Sequence, residues 1–248
     1  SVVLMGTNEL ILPWPEGEGP IKLNVGDNGF YRVQYDETLG HDLQLHIAEF
    51  PPADQLNLLA DTWALAKAGR LPVTRWLDLA SALGSSKELA ILENILATLD
   101  TIDDLEIGTN GRRAYQTWAR SILDPLMQRF GWEAKLGEAP LIAPIRSDVI
   151  SLLGNFGDEA TIATANAKFQ AYLRDSSTLP GNLISSVFRI VGRYADRATY
   201  DQLHALARSS VDSRITRRAY SAMQSALDPK LTQATLELTM DDSIPVSE

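Results

Sequence analysis

Asp158-Glu159-Ala160-Thr161 returns about 38 residues later as Asp196-Arg197-Ala198-Thr199. Each copy places an aspartate ahead of an apolar stripe at helical spacing. An aspartate there caps a helix by accepting from its first free backbone N–H groups. The interval is near the roughly 40 residues of a HEAT- or armadillo-type helix pair. A unit of that size cannot bury its apolar face alone and must stack on its neighbours. The repeat therefore predicts an α-superhelical array of short helices.

The stripes on either side agree. Ile145, Val149, Leu152 and Phe156 form one, and Ile162, Phe169 and Leu173 the next. Leu183, Val187 and Val191 follow, then Tyr200, Leu203 and Leu206, then Ile215, Ala219 and Met223, then Leu231, Thr235 and Leu238. Asp228-Pro229 reads as a helix start, with a capping carboxylate and proline at the first helical position. Residues 132–144, just after Gly131, hold one glycine and two prolines and read as a connection. Upstream, a long helix is expected from about Asn110 to Phe130, kinked at Pro125, whose nitrogen has no proton to donate. Before it come stripes at Leu39–Phe50, Leu56–Ala66 (closed by Gly69), Val73–Leu83 and Leu89–Leu99, the last opened by a Ser85/Glu88 capping box.

The first 37 residues follow a different rule. Val2–Met5 and Leu10-Ile11-Leu12 are short apolar runs, and Pro13, Pro15, Gly17 and Gly19 mark a loop between strands. Ile21, Leu23 and Val25 alternate with polar neighbours. Asp27-Asn28-Gly29 is a hairpin signal, and Tyr31, Val33 and Tyr35 share one face of the strand after it. A four-stranded antiparallel meander with no second layer is the expected remnant of a β-sandwich. The expected fold is mainly α: a β remnant over 1–37, then an α-superhelical HEAT/armadillo-like domain over 38–248.

Composition narrows the partners. The 248 residues carry a formal net charge of −10, so nucleic acid and anionic membranes are not expected to bind. There is no cysteine, which removes disulfides and thiol catalysis and allows a reducing compartment. No apolar run approaches the roughly 20 residues of a membrane span, and no signal-peptide pattern opens the chain. The expected location is the cytoplasm. Ser1 in place of a starting methionine suggests a piece of a longer protein, and the array is expected to continue past Glu248.

No residue set carries a reaction. The three histidines are His41, His46 and His204. His41 and His46 lie five apart, about 140° from facing each other on a helix, a poor metal pair. His204 and Asp201 form an i,i+3 surface pair. Asp103, Asp104 and Glu106 would oppose the dipole at a helix C-terminus and are expected in a loop. Asp241-Asp242 reads as a solvated tail, and Gly26-x-x-Gly29 lacks the lysine of a phosphate loop. Trp63 and Trp76 share the phase of leucines and are expected in the core. Arg112-Arg113 and Arg217-Arg218 are solvated faces, or turn inward to meet a peptide carboxylate. No catalytic, metal or cofactor-binding residue is assigned, and substrate-binding residues stay unknown.

Asn24 to Asp36 reads Asn-Val-Gly-Asp-Asn-Gly-Phe-Tyr-Arg-Val-Gln-Tyr-Asp. This resembles the Asn-x-Gly-x-x-Gly-x-Tyr-Arg-Val-x-Tyr-Asp segment that closes the β-sandwich of gluzincin zinc aminopeptidases of the puromycin-sensitive and endoplasmic-reticulum type. Leu56-x-x-Leu59-x-Asp61-x-Trp63 through Gly69 is looser but similar to the start of their C-terminal helical domain. Arg146-x-x-Val149-x-x-Leu152-Leu153-Gly154-x-Phe156-Gly157-Asp158 and Ala226-Leu227-Asp228-Pro229 are similar to its repeats. The resemblance implies a parent with zinc held by a His-Glu-x-x-His motif and a Gly-x-Met-Glu-Asn stretch for the substrate amino terminus, neither of which this sequence contains. It implies that this part encloses the active-site cavity, helps select and gate peptide substrates, and works with the N-terminal and catalytic domains. The alternative is a free-standing helical-repeat scaffold that holds a protein partner in its concave face.

Overall fold

The structure is a computed structural model, and it describes residues 19–240 together with Ile11. Among these residues there are eleven α-helices and no strand. They are α1 (Glu37–Leu45), α2 (Pro52–Lys67), α3 (Thr74–Leu83), α4 (Leu89–Leu105), α5 (Arg112–Phe130), α6 (Ile142–Asn155), α7 (Glu159–Arg174), α8 (Ile184–Arg193), α9 (Arg197–Ser209), α10 (Ser213–Gln224) and α11 (Pro229–Met240). The chain divides into two compact units, one ending at Ala82 and the other starting at Leu83.

In the first unit, the stretch before α1 lies on α2 without becoming a strand. Its backbone N–H groups find side chains of α2. Gly26 N donates to Asp54 Oδ1 (2.7 Å), and Val33 N donates to Asp61 Oδ2 (3.0 Å). Lys22 Nζ sits 3.0 Å from Asp54 and donates to Asn57 Oδ1 at 2.9 Å, while Asn57 Nδ2 donates to Asp27 Oδ1 at 2.8 Å. Arg32 Nη1 reaches Asp61 Oδ1 at 2.8 Å. With these groups satisfied, the expected alternation from Ile21 to Tyr35 has no neighbouring strand to ladder with among the described residues. The expected hairpin at Asp27-Asn28-Gly29 is a 3-10 turn, Val25–Asp27, with Asn24, Gly26 and Asp27 at φ of 53°, 71° and 54°. Asn24 closes it by accepting from Gly29 N at 2.6 Å. The strands expected at Val2–Met5 and Leu10–Leu12 fall, Ile11 apart, outside the described residues.

Trp76 is fully buried and lies 6.0 Å, centroid to centroid, from the partly buried Trp63. This is the core position their phase indicates. Gly69 ends α2 at φ 69°, with Arg70 N bonded to Leu65 O at 2.9 Å, the expected glycine C-cap.

The second unit has two layers. α4 packs on α6, α6 on α8, and α8 on α10, while α5, α7, α9 and α11 pack on these as hairpin neighbours. Two glycines set the spacing within the first layer. A Cβ on Gly154 of α6 would meet Ile190 of α8 at 2.4 Å, and one on Gly192 of α8 would meet the Ala222 carbonyl oxygen of α10 at 2.1 Å. The Asp-x-Ala-Thr repeat follows each glycine. Asp158 accepts from Thr161 N and Asp196 from Thr199 N, both at 2.8 Å, capping α7 and α9 as expected. Asp228 likewise accepts from Lys230 N at the start of α11.

Three local readings are corrected or refined. α4 starts at Leu89 with Glu88 at its N-cap, and Ser86 rather than Ser85 accepts from Glu88 N, so no capping box forms. The extra residues Ser86 and Lys87 leave Ser85 a turn too early. α5 runs from Arg112 to Phe130 as one helix with Pro125 inside it. Asp103 and Asp104 are helical, in the last turn of α4, rather than in a loop. Asp103 is buried and receives Arg112 Nε (3.0 Å), Arg112 Nη2 (2.6 Å) and Gln116 Nε2 (2.7 Å), all from α5. A bidentate ion pair outweighs the few tenths to about 1 kcal/mol of an unfavourable helix dipole.

Candidate functional site: a polar cleft on the α4, α6 and α8 layer

Most charged side chains buried in this molecule are engaged. Asp54, Asp61 and Asp103 have partners described above. Arg146, only 1 % exposed, donates from Nε to Phe130 O at 3.2 Å and from Nη2 to Glu138, tying the 131–141 connection to α6. That pairing holds the Glu138 carboxyl below the usual glutamate range, the hydrogen bond from Arg146 being the main cause.

One surface departs from this pattern. A cleft of about 370 Å³ lies over α4, α6 and α8. α4 contributes Glu93, Ala97 and Asp100, α6 contributes Ser147, Asp148 and Ser151, and α8 contributes Ser186 and Arg189. Helical spacing explains the grouping: steps of three or four residues return to one face, so residues 93, 97 and 100 share the open side of α4, as 147, 148 and 151 do on α6.

Its floor is hydroxylic. Ser186, 3 % exposed, lies 2.7 Å from Ser147 Oγ and accepts from Ser151 Oγ at 2.9 Å, while Ser147 reaches Asn182 O at 3.1 Å. These bonds join α6 to α8 and keep the floor small and polar. Above it, Glu93, Asp100, Asp148 and Arg189 have no ion-pair or hydrogen-bond partner for their side chains among the described residues. One turn past Arg189, Arg193 Nε is buried and likewise lacks an acceptor.

The carboxyls respond to this crowding. Burial raises the Asp100 pKa above its ordinary value, and Asp104 adds to the effect while Arg189 opposes it. Burial also raises Asp148, with Asp100 and Glu93 adding and Arg189 opposing. The cleft is thus short of cations. It can hold small groups by charge and hydrogen bonding, but it places no nucleophile beside a base.

A larger groove of about 960 Å³ lies in the first unit beside Tyr35, His41 and Leu58. Most of its charged groups are already occupied. Asp61 holds Arg32, Asp36 caps α1 by accepting from Leu39 N at 2.8 Å, and Arg75 stands 3.7 Å from Glu37. The smaller cleft is therefore the better candidate for a ligand.

The residues singled out in the sequence are spread elsewhere. His41 is exposed, and His46 is partly buried with Nδ1 2.9 Å from Asp42 O, a bond that is the first cause of its raised pKa. His204 is partly buried, its ring centroid 6.3 Å from that of Tyr220, and burial lowers its pKa. Arg112 meets a carboxylate, but an internal one. Arg113 and Arg217 are exposed and Arg218 is partly buried. Gly26 and Gly29 belong to the turn on α2, and Asp241 and Asp242 lie outside the described residues. Among the described residues no three of His, Cys, Asp or Glu converge as a metal site. Sequence reading missed Glu93, Asp100, Asp148 and Arg189. The available signal was the polar face each helix carries opposite its apolar stripe.

Among the described residues the geometry is that of a helical-layer domain with a polar cleft. Residues 20–248 match the family model described as ERAP1-like C-terminal domain, and the chain belongs to that family, the C-terminal domain of M1 aminopeptidases. It is similar to aminopeptidase M1-A of Oryza sativa subsp. japonica, at 30% identity over 90% of this chain and 26% of that protein. It is also similar to aminopeptidase M1 of Arabidopsis thaliana (27% identity, 90% of this chain, 26% of that protein) and to glutamyl aminopeptidase of Rattus norvegicus (26%, 70% and 19%). The chain spans about a quarter of the length of the first of these relatives.

Proposed function

We propose that this chain is the non-catalytic, cavity-enclosing part of a zinc metallo-aminopeptidase and that it helps select and gate peptide substrates. The observation that carries the reading is the cleft, where Glu93, Asp100, Asp148 and Arg189 stand together over α4, α6 and α8 without ion-pair partners among the described residues. In this reading α4 to α11 form a HEAT/armadillo-like superhelix. The partners are the N-terminal and catalytic domains of the parent. We place the parent in the cytoplasm, a location compatible with a chain that needs no disulfide.

The residues present do not fit a zinc centre. His46 has its Nδ1 against a backbone carbonyl and an aspartate, and no described cluster offers three ligands. Zinc is assigned to the parent alone. The share of this chain is to line the cavity and to discriminate by charge what approaches.

The reading is tested in the full-length enzyme with Asp148→Lys. Asp148 is exposed, so the variant is expected to fold. Activity on an octapeptide with a basic residue near its far end should fall about ten-fold in kcat/KM, as one reversed charge contact predicts. Activity on a single amino-acid amide, too short to reach the cleft, should stay unchanged. Equal effects on both substrates, or on neither, would overturn the proposal.

A further inference from the structure

The cleft holds unpaired charges of both signs on one hydroxylic floor: Glu93, Asp100 and Asp148 against Arg189. From this we propose that it is a binding site for a free basic amino acid, arginine or lysine. The ligand carboxylate pairs with Arg189, and its two cationic nitrogens are shared among the three carboxylates. The binding chemistry comes from the cleft alone. The supply of such an amino acid, as a product of peptide hydrolysis, rests on the aminopeptidase reading above.

Three observations converge on this class. The first is charge balance: three carboxylates and one guanidinium complement a ligand with two cations and one carboxylate. A basic amino acid leaves one carboxylate without a ligand cation and a neutral one leaves two, while an acidic one would add to the repulsion. The second is size, since about 370 Å³ takes one long side chain and its backbone ends but not a folded partner. The third is preorganisation. Ser147, Ser151 and Ser186 are fixed to one another, so the helices are held in place before a ligand arrives.

The test is calorimetric titration of the 248-residue chain with four amino-acid-sized probes and one tripeptide. L-arginine should bind saturably. Agmatine lacks the carboxylate and L-norleucine lacks the side-chain cation, and each should bind about five-fold more weakly or worse, the scale of one partly screened ion pair. L-glutamate should not bind. Asp148→Asn should reduce arginine to the norleucine level, and Arg189→Gln should abolish the preference for arginine over agmatine. Both positions are exposed, and circular dichroism checks that each variant folds. Absence of saturable arginine binding overturns the proposal. So does norleucine binding as tightly as arginine, or variants that bind like the parent chain. If Ala-Ala-Arg binds as tightly as arginine, the free amino acid is overturned as the ligand source and a chain end takes its place. These outcomes are independent of the full-length assay, so the two proposals can fail separately.

Discussion

Gly192 and Gly154 occupy equivalent positions, yet they should tolerate a methyl group differently. At Gly192 the new Cβ meets a backbone carbonyl at 2.1 Å, and α10 would have to move as a body. At Gly154 it meets Cγ1 and Cδ1 of Ile190 at 2.4 and 2.5 Å, a fully buried β-branched side chain that has little freedom to turn but can shift by less than a whole helix. Replacing glycine by alanine inside a helix gains about 1 kcal/mol of propensity, while overpacking costs about 1–3 kcal/mol or more. Gly192→Ala should therefore lower stability by about 2 kcal/mol, and Gly154→Ala by about 1 kcal/mol, read as midpoints of urea unfolding. Asp103→Ala should cost about 2 kcal/mol, because it strips a bidentate partner from Arg112. The cost stays below that of a fully buried pair because the Arg112 side chain is 25 % exposed. Glu138 adds a pH signature. Its folded pKa lies below the ordinary value of 4.5, so its stabilising contribution is present above that value and is lost as pH falls through the lowered one. Melting temperatures followed from about pH 6 to pH 3 should drop less steeply in Glu138→Gln than in the parent chain. At this scale the sequence was only partly readable. The capping aspartates could be read because their partners lie three residues away, whereas Asp103 was misplaced because its partner lies across a loop.

The helices were legible as elements because a continuous apolar stripe needs only local information. Both capped starts at Asp158 and Asp196 should each contribute about 1 kcal/mol, measurable as the loss in Asp158→Ala and Asp196→Ala. Sequence reading went astray where local pattern and long-range contact disagree. Ile21 to Tyr35 alternates like a strand, but Asp54, Asn57 and Asp61 of α2 take up its polar groups. This also explains the segment by which the family resemblance was first seen: Asn24 closes the turn, and Gly26 and Arg32 dock on α2. Arg146 to Asp158 behaves in the same way. Its arginine anchors a connection, its apolar residues fill the core, its first glycine allows close packing, and its aspartate caps the next helix.

At the level of the whole molecule, stacked hairpins depend mainly on their nearest neighbours. Residues 84–248 expressed alone should keep their helical circular dichroism and unfold cooperatively; an unfolded product would show that this unit needs the first one. The cleft was not legible in the sequence, because Glu93, Asp148 and Arg189 are separated by some 40–55 residues and meet only through the α4, α6 and α8 layer. The regularity of that layer has a further meaning. Tyr194 Oη donates to Gly154 O at 2.9 Å and Ser225 Oγ to Arg189 O at 3.2 Å, so consecutive units are fastened by side chains at the same end of each helix. Gly154 and Gly192, followed by Phe156 and Tyr194 and then by Asp158 and Asp196, make the two junctions interchangeable parts. Excising the residues between one junction and the next joins similar motifs, so the helical array can lengthen or shorten by whole hairpins.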